Sequence, residues 1–361
     1  DQTVLALQVL SARIDPAFAL LAEVATDPAF RMEEFARKKQ ERLTALLQER
    51  DDPAVIAGRG FVATVYGSDH PYGRPVAGDR RTVESLERDM LVRFHHDYYR
   101  PANAFLVVVG DVSPARLIPT LERVFDSWAV GPVDPVTMPR VPARRALAIR
   151  IIDRPGAPQS ELRMGHAGPP RTTEGYFPLV VMNTILGGSF TSRLSTRLRE
   201  EKGYTYGVRS SFSFRSGPGP FVVSTAIGTN VSHAAVEDAV RELERIRDEL
   251  VFDAELETAR NYLALGLPRR FETVDAITEH IADLLLHRLP HDYYDRYMSR
   301  VGMVSAGDVR AAAQKYLDPS HTAIVLAGDA ESIDGPLAAL GIGPVERTVP
   351  DDNGFCGTVL A

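Results

Sequence analysis

Between Leu186 and Phe212 the chain reads LGGSFTSRLSTRLREEKGYTYGVRSSF, which sets Arg193, Arg197 and Arg199 close to Glu200, Glu201, Tyr204 and Tyr206. A guanidinium holds carbonyl or carboxylate oxygens through paired, charge-assisted hydrogen bonds, and a phenol donates to an oxygen that gains negative charge. Each residue taken singly has a plainer reading. Arg199 stands at the end of a short helix stopped by Gly203, solvated or paired with Glu200 or Glu201. Tyr204, Tyr206 and Val208 alternate as one face of a half-buried strand. The pair Gly187-Gly188 reads as a tight turn, with contact to an extended substrate as the alternative. Metal chemistry has no local signature. The nine histidines include His95-His96, at a helix end, and Glu279-His280 with His287 beyond. No spacing among them brings two to one metal with a carboxylate base, and His70-Pro71-Tyr72-Gly73 reads as a loop. The single cysteine, Cys356, excludes an internal disulfide and a Cys-based zinc site.

The elements that must position this stretch belong to a chain of 361 residues, 44% hydrophobic and 25% charged, the composition of soluble globular protein in two domains. A net charge of -7 and scattered basic residues argue against nucleic acid or an anionic membrane as partner. No apolar run approaches the ~20 residues of a membrane helix. An alternating strand over 3–10 opens the chain. Helices follow over 15–26, 31–50 and 54–66, then one capped at Thr82 and running to Tyr98, a buried strand over 105–109, and a helix over 115–125. A Pro-rich linker, 131–145, separates a first domain, 1–130, from a second, 146–345. The second domain has strands at 146–152, 161–164, 221–227 and 322–327. Its helices lie at 173–185, 232–250, 254–267, 274–286, 293–301 and 305–316. The tail, 346–361, is polar and reads as poorly packed.

Two strands that stop on Gly-Asp expose an internal repeat. Tyr98-x-x-Pro101 before Gly110-Asp111 matches Tyr316-x-x-Pro319 before Gly328-Asp329, at one offset of 218 residues. The same offset sets Val4 on Val222 and residue 1 on Gly219. The first half therefore has no counterpart of 146–218, roughly 70 residues. Strands at 3–10 and 105–109 would then show an edge, to be completed from elsewhere unless the chain is trimmed.

With these pieces in place the chain resembles the pitrilysin/insulinase-type metallopeptidases, the inverzincins. The resemblance rests on the 186–212 stretch, Asp27-Pro-Ala-Phe30 with its charged helix, His70-Pro-Tyr-Gly73 and Tyr98-Tyr-Arg-Pro101 through Gly110-Asp111. It implies two tandem homologous α+β domains, each a mostly antiparallel sheet with helices packed on one face, the first truncated at its N-terminus. Two such pairs close as a clamshell around a peptide. In the active half an H-x-x-E-H helix supplies two zinc ligands and a general base, and a glutamate on the next long helix supplies the third ligand.

This chain departs from that pattern. It contains no H-x-x-E-H, and its long helix carries Ala36 at the ligand position and Lys38 where another acid is expected. Alanine cannot bind zinc, and an ammonium opposes a dication. The resemblance then implies the non-catalytic subunit of a two-subunit peptidase. No catalytic or metal-ligating residue is expected here. Arg199 and Tyr206, with Tyr204 as rival, would bind substrate across the clamshell, and zinc would come from an H-x-x-E-H-bearing homologous partner. The substrates would be peptides, and the expected setting is the bacterial periplasm or cell envelope. Two alternatives stand: a structural core subunit without peptidase role, and an active enzyme whose H-x-x-E-H precedes Asp1, with Glu33, Glu34 or Glu41 replacing Ala36.

Overall fold

The structure, a computed structural model, describes residues 1–142, 146–350 and 356–360; 143–145 of the linker and 351–355 and 361 of the tail lie outside it. The first half is helical: α1 (Ile14–Thr26), α2 (Met32–Glu49), α3 (Pro53–Tyr66), α4 (Arg80–Ser85), α5 (Arg88–Tyr98) and α6 (Pro114–Phe125). The second half begins with β1 (Ala148–Asp153), β2 (Gln159–Ala167), α7 (Tyr176–Asn183), α8 (Arg193–Ser195), β3 (Val208–Phe212) and β4 (Pro220–Gly228). Helices α9 (Ser232–Asp248), α10 (Asp253–Gly266), α11 (Val274–Leu286), α12 (Tyr297–Met303) and α13 (Ala306–Tyr316) follow. Strand β5 (Ala323–Gly328), helix α14 (Ala330–Ala339), β6 (Val345–Pro350) and β7 (Cys356–Leu360) end the chain.

The class is α+β, and the repeat is visible element by element. The 3-10 turn Pro101–Asn103 recurs 218 residues later as Pro319–His321, and α5 recurs as α13 with matching ends. Backbone contacts divide the chain into two units that interleave these halves. One holds 1–43, 82–137 and 267–291, and the other 44–81, 138–266 and 292–361. Helix α3 of the first half thus belongs to the second unit, and α11, which overlaps its counterpart, belongs to the first. The boundaries of contact therefore differ from the sequential 1–130 and 146–345.

The first unit is built from helices. His95 Nε2 lies 2.9 Å from the Ala25 carbonyl oxygen, and Trp128 Nε1 donates to the Tyr99 carbonyl at 3.0 Å. The expected single helix over 82–98 is broken at Leu86-Glu87. Lys39 Nζ takes the carbonyls of Glu84 and Leu86 at 2.7 and 2.8 Å, so those oxygens are spent on a side chain instead of the next turn. Neither expected strand of this half forms. Residues 3–10 and 105–109 have no regular structure, and Leu10, Phe105 and Leu106 are exposed. The physical reason is pairing. Strand β5 is flanked by β1 and β2, whereas neither 3–10 nor 105–109 pairs with a strand among the described residues, and an unpaired strand leaves its ladder unmade.

The second unit carries a seven-stranded mixed sheet in the order β3-β4-β2-β5-β1-β6-β7. Strand β1 runs parallel to β5 and β6, and the other pairs are antiparallel. Alternation gives the sheet two apolar faces. Ile149, Ile151, Leu162, Met164, Val223 and Leu326 are fully buried on one, where α9 and α14 contact the strands. On the other, α3 lays Ile56, Ala57, Phe61 and Val65 against Ile152, Ala323, Val325 and Ala327. Asp52 caps α3 by accepting from Ala54 N at 2.8 Å, and Pro53 starts it. Linker residues Met138 and Val141 pack against this cluster. The described start of the tail, 346–350, is also more regular than its polarity suggested. Strand β6 extends the sheet because its polar residues find partners: Arg347 pairs with Asp153, and Thr348 Oγ1 donates to the Ile151 carbonyl.

Candidate functional site

The stretch from Leu186 to Phe212 lies wholly in the sheet unit. Helix α7 passes into a π turn, Thr184–Gly188, and α8 passes into a second, Thr196–Glu201. Such wide turns are rare and recur at functional sites. Neither glycine of the pair has a positive φ; each is required by close approach. A Cβ on Gly187 would stand 2.7 Å from Ser210 N, and one on Gly188 would stand 2.9 Å from the Asn183 carbonyl oxygen. Gly187 thus serves packing against β3 and Gly188 packing against α7, and the two elements are joined where Ser210 Oγ donates to Asn183 Oδ1 at 2.8 Å.

The three arginines have different tasks. Arg193, buried, grips Glu255 of α10 with Nε and Nη2 at 2.7 and 2.8 Å. Burial by itself would raise the Glu255 carboxyl, but the Arg193 and Phe252 N–H donors and the Arg193 charge outweigh it, and its pKa falls below the ordinary value. Arg197 donates to Glu201 at 2.9 Å and, through Nε and Nη2, to Asp238 of α9 at 3.1 and 2.9 Å, contacts that raise its pKa. These two pairs brace the helix against α9 and α10.

Arg199 is held locally. Its Nε and Nη2 donate to Glu200 Oε1 at 2.9 and 2.5 Å, so the plain pairing expected at a helix end is present. Its Cζ also lies 3.5 Å from the centroid of the Phe190 ring. Among the described residues Nη1 has no hydrogen-bond acceptor.

Beyond Arg199 the turn closes on Gly203, whose φ of 64° suits glycine, with Gly203 N donating to the Arg199 carbonyl and Tyr204 N to the Leu198 carbonyl. Here the strand expectation fails. Residues 204–207 are not strand, because Thr205 Oγ1 accepts from Gly207 N while Thr225 Oγ1 donates to the Gly207 carbonyl. Tyr204 is half-buried, whereas Tyr206 is 94% exposed, and its phenol has no partner among the described residues. The two tyrosines therefore do not share a strand face. No hydrogen bond joins either of them to Arg199.

Helix α2, on which the resemblance implies a zinc-ligand glutamate, has no acid at that position. Ala36 lies on α2, while Arg37 takes both Glu34 and Glu41, and Lys38 reaches Glu41 at 2.9 Å. The guanidinium beside it holds the Glu34 carboxyl below its usual range. Among the described residues no three His, Cys, Asp or Glu side chains converge on a metal-sized site. His70 is buried, its Nδ1 accepting from Tyr72 N at 3.0 Å, which keeps it in the loop role. A cavity of about 520 Å³, lined by Lys315, Asp318 and His321 among others, includes neither Arg199 nor Tyr206. At its wall His166 uses both ring nitrogens, on the Ala167 carbonyl and Asp318 N.

Sequence reasoning missed Phe190, Glu255 and Asp238. An aromatic placed directly after Gly-Gly-Ser, in a loop, was a usable signal for Phe190. The two acids offered none, since each is one of many charges on an amphipathic helix.

The family model of the peptidase M16 inactive domain matches residues 85–263. An uncharacterized zinc protease of Rickettsia bellii is 25% identical over 327 residues, 90% of this chain and 78% of that protein. One from Streptomyces coelicolor is 26% identical over 317 residues, 86% of this chain and 68% of that protein. Among solved structures, a peptidase M16 inactive domain from Pseudomonas fluorescens superposes with a TM-score of 0.82 at 27% identity, covering 89% of this chain and 77% of that one. By fold, motif and these matches, the chain belongs to the M16 peptidases, the pitrilysin/insulinase-type family.

Proposed function

We propose that this chain is the non-catalytic, substrate-binding subunit of a two-subunit zinc metallopeptidase. One observation carries the reading: Tyr206 presents an unpartnered phenol to solvent, on the loop that follows a helix braced by Arg193–Glu255 and Arg197–Asp238. Arg199 offers Nη1 to a substrate carbonyl or carboxylate, and Tyr206 offers its O–H to the oxygen that gains charge during peptide cleavage. Zinc, its ligands and the base would be supplied by a homologous partner bearing H-x-x-E-H, since α2 presents Ala36 and Lys38. A peptide substrate and a bacterial cell-envelope setting belong to the same proposal.

The test uses a quenched-fluorescent peptide. The purified chain is expected to hydrolyse nothing, and adding an H-x-x-E-H partner is expected to give turnover. Tyr206→Phe is expected to lower kcat about 100-fold, the loss seen when one oxyanion donor is removed. Chelator-sensitive cleavage by the isolated chain would overturn the proposal. A structural-subunit reading has one observation on its side, the engagement of Arg199 by Glu200. Under that reading Arg199→Ala with Tyr206→Phe leaves assembly and function unchanged.

A further inference from the structure

We infer that Phe190 is the positioning residue for Arg199 and sets the plane in which its guanidinium meets substrate; this rests on the reading that Arg199 binds substrate. The geometry is specific. Arg199 Cζ sits 3.5 Å from the ring centroid, directly over the aromatic face, while Glu200 Oε1 takes Nε and Nη2 along one edge. A face contact and an edge contact together fix a planar group in both tilt and rotation, which neither does alone. Nη1 is then the donor left at a fixed place.

Burial does not explain the ring. Phe190 is 72% exposed, so little of its apolar area leaves water, whereas the Arg199 side chain beneath it is only 16% exposed. An exposed ring therefore lies over a cation that is itself largely covered. Its loop is held at both ends: Ser189 Oγ donates to the Thr184 carbonyl at 3.1 Å, and Ser192 Oγ accepts from Ser195 N at 3.4 Å. A long, flexible arginine loses rotamer freedom on binding, and one already stacked loses less. The ring quadrupole also compensates the cation for water displaced by an arriving peptide.

The test needs this chain alone and fluorescein-labelled casein peptides, with affinity read by anisotropy. Phe190→Ala is expected to weaken binding about fivefold, the scale of a partly desolvated cation–π contact. Phe190→Trp is expected to restore it, and Phe190→Leu, apolar without a π face, is not. In an Arg199→Ala background, Phe190→Ala is expected to add nothing. A spectroscopic reading runs beside these. The Arg199 Nε–H resonance, shifted by the ring current, is expected to move in the Ala and Leu variants and to stay shifted in the Trp variant. Leu matching the wild type, or a Phe190→Ala effect that persists without Arg199, overturns the proposal. Arg199→Ala that leaves peptide affinity unchanged removes the substrate-binding reading itself. An effective Arg199→Ala beside a silent Phe190→Ala removes only the role of Phe190.

Discussion

Glu255 and Arg193 stand 62 residues apart in sequence, yet this pair holds the helix from which Arg199 projects. Arg193 is almost wholly enclosed, so removing the carboxylate leaves a buried charge without its counter-ion. Glu255→Ala is therefore expected to destabilise the sheet unit by about 3 kcal/mol, measured by urea unfolding, whereas Glu255→Gln, which keeps an acceptor for Nε, costs less. The analogous Asp238→Ala should cost less again, because the Arg197 side chain is one-third exposed and water replaces what is lost. At this scale the sequence was only partly readable. Arginines, glutamates and tyrosines at these spacings announced polar chemistry. Which arginine would be spent on structure depended on acids from two distant helices, and no local pattern records that. Tyr206 was misread for the same reason. Its alternation with Tyr204 and Val208 suggests a strand, but Thr205 and Thr225 take the backbone groups that a strand would need.

Helix α3 shows how an element can be legible in itself and unreadable in its destination. Its Asp-Pro start and apolar spacing set its limits to within a residue, but nothing local says that it covers β5 and β1 of the other half. Phe61 of α3 belongs to that contact, and it is 2% exposed. Phe61→Ala is expected to lower stability by about 3–4 kcal/mol and to speed amide exchange in β5. Unchanged exchange in β5 would contradict the packing of α3 on that strand. The opposite failure occurred at 3–10 and 105–109. Their alternation and apolar runs are genuine strand signals, and they match β4 and β5 across the repeat. A strand, however, is a property of a pair, and these segments have no pairing partner among the described residues. Strands β6 and β7 were missed for the converse reason. Val345–Pro350 is polar, and only a sheet edge that supplies Asp153 and the Ile151 carbonyl makes it a strand.

For the molecule as a whole, each of the two interleaved units should respond to acid, because each carries a histidine whose pKa lies below its ordinary value. In the sheet unit His166 is pushed below the ordinary value chiefly by burial, and its two ring nitrogens fit one neutral tautomer, with Nδ1–H on the Ala167 carbonyl and Nε2 accepting from Asp318 N. In the helical unit burial and the Arg270 charge lower His280. A histidine with a lowered native pKa binds its proton more readily once unfolded. Stability is then full above the unfolded value of about 6.5 and declines as the pH falls below it, until the native group is also protonated. Carboxylates with lowered native pKa act later. Glu255 and Asp318 contribute stability above their unfolded values near 4 and lose it as the pH falls through the native ones. Trp128 lies in the helical unit and reports it by fluorescence, while amide exchange of β2 and β5 reports the sheet. Between pH 7 and 5 both readouts should show weakening. His166→Gln keeps an acceptor for Asp318 N and cannot be protonated, so it should flatten the pH dependence of exchange in β2 and β5 and leave the Trp128 response unchanged. A slope in β2 and β5 that survives this replacement would show that the acid sensitivity of the sheet lies with other groups.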